Sequence, residues 1–541
     1  MPFRLAITIA GAVSLGSFEA GVLFEIFDAL AQHNRASPPE SKICVDVLTG
    51  ASAGGMTAAV AAQSLLYSSR AIAEPYNNAF YSAWVADVDI DGLLPRDSGE
   101  PANQSVLSSN FVWGLAENFL LGRYTQEVSP PPVRHPALPP SGAIRLGLAL
   151  SNLTGVDYQR PQLSGGTFNY TRFQDQVEFL LDGTTDRKDS WNPVAHAAVA
   201  CGAFPFAFRP RDLIREIADF KSPFLAPWPS SPRAFTYTDG GVFQNQPLGL
   251  AKNLVDLIDQ HQDTDTRSYL FVSPSPLNST AGTIREATAN FKALIDALLN
   301  AVYNQAGFQD WIAAESVNAA VDVLNLRASQ LSDLFKRGVL QVGPMRTVLD
   351  PLLSQFKPSE SDLLKARTQL HEQFSSEFEE LSSSLGPTTA EVWIDSVLLL
   401  ELAAELHEKD EMYIYSITAD SRDLAGAGLF SFLGFLDRGF REHDYDLGRE
   451  KAQSFLTRLK QISRGKLPEL AYLPKPHHPI QPTPVGGFTP AMIAEEKRED
   501  LYHALSEAAD NLLEEEGLNW IERKGVEALY LNGKIKKMLG L

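Results

Sequence analysis

Two cysteines, Cys44 and Cys201, in 541 residues are too few for a disulfide framework. Both lie in apolar surroundings, which suits a reducing compartment. Basic residues are also scarce. The chain has 46 Lys and Arg against 66 Asp and Glu, a net charge of −20. That argues against a nucleic-acid binder, which needs a basic footprint. It also disfavours general attraction to anionic lipid, leaving a local basic or apolar rim as the means of peripheral membrane contact. No apolar run reaches the length of a membrane-spanning helix. Arg4 followed by Leu5 to Leu15 imitates a signal peptide, but Gly11 and Gly16 interrupt it, and Phe18-Glu19-Ala20-Gly21-Val22-Leu23 continues as a folded helix. A cytoplasmic protein is the expectation. Apolar residues are plentiful: 44% hydrophobic and 10% aromatic supply a core for one large or two to three ordinary domains.

The pattern along the chain begins as strand, helix, strand. Leu5 to Ala10 reads as a buried strand, Ser17 to Gln32 as a helix with Phe18, Val22, Ile26 and Leu30 spaced by four, and Ile43 to Thr49 as a second strand. This order makes a right-handed parallel unit, whose ligands bind outside the carboxyl ends of the strands. Val128 to Ser141, with six prolines, is loop. Strands are expected at Ala143 to Leu150, Phe235 to Thr238, Ser268 to Val272 and Met412 to Thr418, and a helix at Asn192 to Ala203. Between them, Thr283 to Lys409 is helical in pattern, including Ile284 to Ala306 and Leu363 to Leu381. The economical reading is one α/β domain interrupted by a helical insertion. Lys466 to Pro490 is Pro-rich, a linker or extended arm, and Glu495 to Gly517 is a charged amphipathic helix.

Chemistry concentrates at Gly50-Ala51-Ser52-Ala53-Gly54, between the second strand and an Ala-rich helix. Small flanking residues permit a sharp turn that exposes a serine hydroxyl, and the helix N-terminus behind it favours a developing oxyanion. A serine needs a base. The candidates are Asp239 in Thr238-Asp239-Gly240-Gly241, which could equally be a turn aspartate; His443 in Glu442-His443-Asp444; and His196 on an apolar helix, where a histidine is more often a satisfied core residue. Oxyanion donors are expected from the loop Gly11-Ala12-Val13-Ser14-Leu15-Gly16. It lacks the lysine of a phosphate-binding Walker loop and the glycine spacing of a dinucleotide fingerprint, while a plain strand–helix turn stays open.

A Gly-containing loop on the first strand, an early Gly-x-Ser-x-Gly and a later Asp-Gly-Gly, in that order, resemble the patatin-like phospholipase family. Ala200-Cys201-Gly202-Ala203-Phe204-Pro205 resembles its pocket helix end, and Asp239 to Pro247 its aspartate motif with a trailing Asn-x-Pro. Phe440 to Arg449 looks like a segment of larger bacterial members. The resemblance implies a three-layer α/β/α fold with a mostly parallel sheet, here with a helical insertion and a C-terminal helical extension. The expected division is a catalytic core over 1–276, an insertion over 277–411 acting as lid, cap or packing surface, a return to the core over 412–462, and a Pro-rich linker with helices over 463–541. It implies a Ser–Asp dyad without histidine: Ser52 as nucleophile, Asp239 as base, and Gly11, Ala12 and Val13 at the oxyanion positions. The substrate would be a lipid acyl ester, with neither metal nor cofactor required.

The chain departs from the family loop, usually Gly-Gly-Gly-x-Arg/Lys-Gly, at Ala12, Val13 and Leu15. Loss of the basic residue removes a phosphate partner and favours a broader carboxylesterase. An inactive lipid- or protein-binding homologue and an acyltransferase are the alternatives. Only one strand and one helix precede the strand that carries Ser52, whereas an α/β-hydrolase triad needs more, so His443 is expected to be structural.

Overall fold

The structure is a computed structural model. It describes residues 2–259, 266–275, 301, 306, 323–355, 360–403, 412–515 and 532–541, with short gaps at 95–99, 102–103, 126–129, 162–165, 206, 221, 223, 229 and 486. The chain divides into two compact units, one of Met1–Val255, Thr266–Asp310 and Ile414–Leu541, the other of Asp256–Asp265 and Trp311–Tyr413.

The first unit is built on an eight-stranded sheet. β1 (Phe3–Ile9) and β2 (Ile43–Gly50) are short apolar runs, buried almost throughout, as strands covered on both faces must be. α1 (Gly16–Ala36) joins them, and α2 (Ala53–Tyr67) follows β2. β3 (Ile144–Pro161), β4 (Thr167–Leu181), β5 (Arg211–Arg215), β6 (Arg233–Thr238), β7 (Arg267–Ser273) and β8 (Ile414–Thr418) complete the sheet. The order is β5-β6-β3-β2-β1-β7-β8, with β4 also paired to β3. The ladders from β3 through β2, β1 and β7 to β8 are parallel. Those of β3 with β4, β3 with β6 and β5 with β6 are antiparallel.

Crossover handedness sets the layers. The steps β1 to β2 and β2 to β3 run in one direction, so right-handed crossovers put α1 and α2 on the same face. The helix Leu248–Asp259 then carries the chain from β6, which runs antiparallel to β3, back to β7 beyond β1. Its Leu250 and Leu254 pack on Gly147 of β3. The result is a three-layer α/β/α fold with extra helices.

Two local details place the site. Asp46 interrupts the apolar run of β2 without breaking it. The register slips there, with Leu5 opposite Val45 and Ala6 opposite Val47, so Asp46 occupies a bulge. Its carboxylate pairs bidentately with Arg267 of β7 at 2.6 and 2.9 Å. The second detail is an exchange of partners along β3. β4 follows one edge of β3 from Ile144 to Ser151. β2 occupies the other edge at Arg145 to Leu148 and ends at Gly50. β6 takes over that edge at Ser151 and Asn152. The carboxyl ends of β2 and β6 therefore meet head to head.

The helix Arg438–Leu456 lies along α1. The backbones nearly touch: a Cβ on Gly21 would lie 2.0 Å from the Tyr445 carbonyl oxygen, and one on Gly448 2.1 Å from that of Phe18. Beside this crossing, Arg449 and Glu25 form a fully buried ion pair at 2.7 Å. Arg449 also donates to the carbonyls of Lys475 and Pro476, which ties down the extended segment that follows the helix. In the second unit, Trp393 and its apolar neighbours Leu349, Leu370, Leu381 and Val397 form a separate core. Buried Asp395 accepts from Arg346 and Arg367 at 2.5 and 2.6 Å.

The expected strands and the Pro-rich loop are present, as is the helix from Glu495, which runs Glu495–Glu515. The distal half of β3, together with β4 and β5, was not expected from sequence. Residues 167–173 of β4 are almost all exposed, so the alternation that marks a half-buried strand is missing, and pairing with β3 alone makes them extended. The helix expected over Leu363 to Leu381 is two, Glu360–Gln373 and Ser375–Leu385, broken at Phe374 with φ −110° and ψ 31°. The helix expected over Ile284 to Ala306 lies outside the described residues, apart from 301 and 306.

Gly448→Ala should destabilise the protein by about 1–3 kcal/mol, because the added methyl must push two helix backbones apart. A urea melt checks this, and an unchanged midpoint would show that the crossing can relax.

Candidate active site

Ser52 is the second residue beyond β2 and the N-cap of α2, with φ 52° and ψ −130°. This conformation costs on the order of 1–3 kcal/mol and persists only where the surroundings enforce it. Glycine makes the enforcement feasible. A Cβ on Gly54 would lie 2.2 Å from the Ala10 carbonyl oxygen, and one on Gly50 2.3 Å from that of Gly54. The turn is pressed against the end of β1, and the serine hydroxyl is left at the carboxyl edge of the sheet.

Asp239 arrives at the same point from the end of β6. Ser52 Oγ donates to Asp239 Oδ2 at 2.6 Å. The other carboxylate oxygen accepts the Gly241 N–H at 2.7 Å. The Asp239 N–H and the Thr238 hydroxyl both donate to the Ala203 carbonyl, at 2.9 and 2.8 Å. Ala203 follows the helix Lys188–Cys201, so the end of that helix holds the end of β6. Gly240 packs on β3, where a Cβ would lie 2.0 Å from the Ala149 carbonyl oxygen. Asp239 is 1% exposed, and burial pushes its carboxyl up to about 7; the hydrogen bonds from Ser52 and Gly241 act against that rise.

The loop after β1 faces the elbow. The Gly11 N–H donates to the Asn245 carbonyl at 3.0 Å, and a Cβ on Gly11 would lie 3.1 Å from that of Ser52. Of the three residues expected at the oxyanion positions, Gly11 thus has its amide engaged elsewhere and contributes room. The N–H groups of Ala12 and Val13 have no acceptor among the described residues. Val13 stands at φ 53°, a conformation that is a genuine outlier for a β-branched residue. Asn245, quoted from the sequence only as part of Asn-x-Pro, is the residue that joins this loop to the aspartate turn.

Ser52 opens into an apolar pocket lined by Val13, Met56, Trp84, Phe119, Phe204 and Phe435 among others. Apart from Ser52 the lining side chains are apolar. Cys201 lies below the elbow, its Sγ 3.8 Å from the Ser52 carbonyl oxygen. Burial and the neighbouring Asp239 push its thiol up, which removes it as a rival nucleophile.

The two histidines considered as bases sit elsewhere. His443 Nε2 bonds the Asp423 carbonyl at 2.9 Å, and its ring packs on Phe488. His196 stacks on Trp113 with ring centroids 4.4 Å apart, and burial lowers its pKa. Neither bonds Ser52 or Asp239, and neither lines the pocket.

Residues 7–252 match the patatin-like phospholipase family, and this part of the chain belongs to it. The match covers the elbow, the loop after β1 and the aspartate turn. An uncharacterized protein, y4iI of Sinorhizobium fredii, is 24% identical over 356 residues, which is 51% of this chain and 49% of that protein. The chain therefore spans about half the length of this curated relative. The crystal structure of VipD from Legionella pneumophila is 13% identical, covering 75% of this chain and 92% of that one, with a TM-score of 0.25. Among the described residues, no helix is long and apolar enough to cross a membrane.

The raised pKa of Asp239 makes a stability prediction. Its ordinary value is 3.8 and its folded value about 7, so the folded state binds the proton more tightly. The stability this contributes is complete below the ordinary value and is lost as pH rises through about 7. Asp239→Asn, which cannot ionise, should therefore be more stable than wild type at pH 8 by on the order of 2 kcal/mol, with the advantage shrinking towards pH 5. Thermal melts at the two pH values check both size and trend.

Proposed function

We propose that this chain is a serine hydrolase of lipid acyl esters that works through a Ser52–Asp239 dyad and an acyl-enzyme. The observation that carries this reading is the 2.6 Å hydrogen bond from Ser52, which lines an apolar pocket, to a buried carboxylate. Asp239, with its pKa lifted to about 7, is a far better base near neutral pH than an ordinary aspartate, yet it is still ionised often enough to act.

The acyl chain lies in the pocket with its ester carbonyl over Ser52. Ser52 Oγ bonds to the carbonyl carbon while its proton passes to Asp239 Oδ2. The carbonyl oxygen becomes an oxyanion that the N–H groups of Ala12 and Val13, with that of Ala53 at the α2 N-terminus, receive. Collapse breaks the bond to the alcohol, which leaves with the proton from Asp239. A water then gives its proton to Asp239 and attacks the acyl-serine. Collapse of that second intermediate releases the acid, and the proton returns to Ser52. Replacement of the family's usual glycines by Ala12 and Val13 leaves the backbone donors in place. The apolar lining and Leu15 in place of a basic residue favour neutral esters and glycerides over phospholipids. An alcohol that outcompetes water at the acyl-enzyme would make the same site an acyltransferase. Valine in place of the family's usual glycine at position 13, a residue that lines the pocket, favours the rival reading, a homologue that binds lipid without turnover.

Ser52→Ala and Asp239→Asn should lower p-nitrophenyl ester hydrolysis by at least about 10³-fold, while His443→Ala and His196→Ala stay within about threefold of wild type. kcat/KM should fall on the acid side of about pH 7, as Asp239 takes up its proton. A folded wild type that neither turns over esters nor labels with a fluorophosphonate at Ser52 would support the binding reading instead.

Filling the pocket should discriminate by chain length. Ala116→Phe should reduce kcat/KM for a long-chain ester by ~10-fold or more while sparing acetate esters, since each buried methylene is worth about 0.8 kcal/mol. Equal losses on both substrates would place the acyl chain elsewhere.

A further inference from the structure

The segment Phe440 to Arg449 lies outside the stretch that matches the family, and the dyad gives it no work. Two of its side chains, Arg441 and Asp444, hold the segment Leu424–Leu436, which meets the loop after β1. We propose, resting on the hydrolase reading above, that Leu424–Leu436 and the helix behind it brace the oxyanion loop, with Ser14 and Asp444 as positioning residues for the reaction.

Ser14 directly follows Val13 and is fully buried. Its hydroxyl donates to the Ser431 carbonyl and accepts the Gly434 N–H at 3.1 Å. A serine held through both its donor and its acceptor cannot rotate, so the Val13–Ser14 peptide is fixed in direction. That fixes the left-handed turn at Val13 and the aim of the N–H groups beside it. Glycine would adopt φ 53° freely, whereas valine needs enforcement.

The segment that grips Ser14 is itself held from behind. Leu429 and Ser431 have φ 55° and 66°, so this turn also needs support. Asp444 accepts the Ala425 and Gly426 N–H groups at 2.7 and 2.8 Å, one on each carboxylate oxygen. Arg441, three residues earlier on the same face of the helix, donates to the Gly434 and Phe435 carbonyls at 2.9 and 3.2 Å, and to Val85 at 3.1 Å. Asp444 and Arg441 are each no more than 1% exposed. Close packing closes the gap: a Cβ on Gly434 would lie 2.7 Å from Ser14 Oγ, and one on Gly426 3.2 Å from it.

The brace is registered against the rest of the site. Gly21 and Gly448 set the helix against α1, which begins two residues after Ser14. The same segment supplies Phe435 to the pocket wall, and Phe432 packs edge-on against Phe204, another wall residue. The carboxyl-terminal return of the chain thus sets both where the oxyanion sits and how the acyl chain is walled.

The test compares full-length wild type, Ser14→Ala, Asp444→Asn and His443→Ala. His443 shares the helix but bonds only the Asp423 carbonyl. The readouts are kcat and KM for p-nitrophenyl butyrate and the inhibition constant of a trifluoromethyl ketone, which forms a tetrahedral adduct with the serine. Ser14→Ala and Asp444→Asn should lower kcat about 10- to 100-fold with KM within about threefold. The inhibition constant should rise by the same factor as kcat/KM falls, because both report stabilisation of the oxyanion. His443→Ala should leave kcat and the inhibition constant unchanged. If Asp444→Asn does not fold, Ser14→Ala decides alone, since it removes a single hydroxyl. Folded Ser14→Ala protein with wild-type kcat and ketone affinity overturns the brace. A wild type without Ser52-dependent turnover overturns the hydrolase reading first, and the two failures are separable because Ser52→Ala is run alongside.

Discussion

One edge of β3 is shared by two strands, and the site depends on that sharing. β2 leaves the edge at Gly50 and β6 takes it over at Ser151. Two chain ends pointing at each other on one strand have little room, so each must turn away sharply. β2 turns through Ser52 into α2, and β6 turns through Asp239 into the Gly240-Gly241 bend. The side chains at the two turns face each other as a consequence. Ser52 and Asp239, 187 residues apart in sequence, are brought to 2.6 Å by strand pairing.

Each turn is strained or buried in a way that only its surroundings support. Ser52 and Val13 have positive φ, and Asp239 and Asp444 are buried carboxyls, both pushed up to about 7 by burial. In each case backbone N–H groups or close-packed glycines supply the compensation. This is the pattern of a site whose geometry is held by the fold, with stability given up locally for a fixed arrangement of donors and acceptors. Replacing glycine by valine at position 13 raises the demand on that support. The helix Arg438–Leu456 answers it from a part of the chain beyond the family match.

Much of this was legible from residues in order. The runs at Leu5, Ile43 and Ser268 are short, apolar and bounded by turn residues, as buried strands are, and Met412 to Thr418 shows a strand's alternation. Gly50-Ala51-Ser52-Ala53-Gly54 announces its turn because only small residues fit one so tight. The extension of β3 and its partner β4 were not legible: exposed polar residues such as Thr167, Asn169 and Thr171 carry no periodicity, and their strand state comes from pairing. The break at Phe374 inside an otherwise continuous helical pattern was equally silent.

By itself the sequence determined the class of fold, the position of the elbow and the short list of groups that could serve it, because these follow from local sterics and from which side chains can be buried. Only the tertiary structure shows which of those groups lies beside the serine. His443 bonds the Asp423 carbonyl and His196 stacks on Trp113, while Asp239 meets the serine. It also decided that the Gly11 amide is taken by Asn245 and that Ser14 is gripped by residues more than 400 positions away. Contacts of that range depend on how strands and helices pack against one another, and no local pattern of residues encodes them.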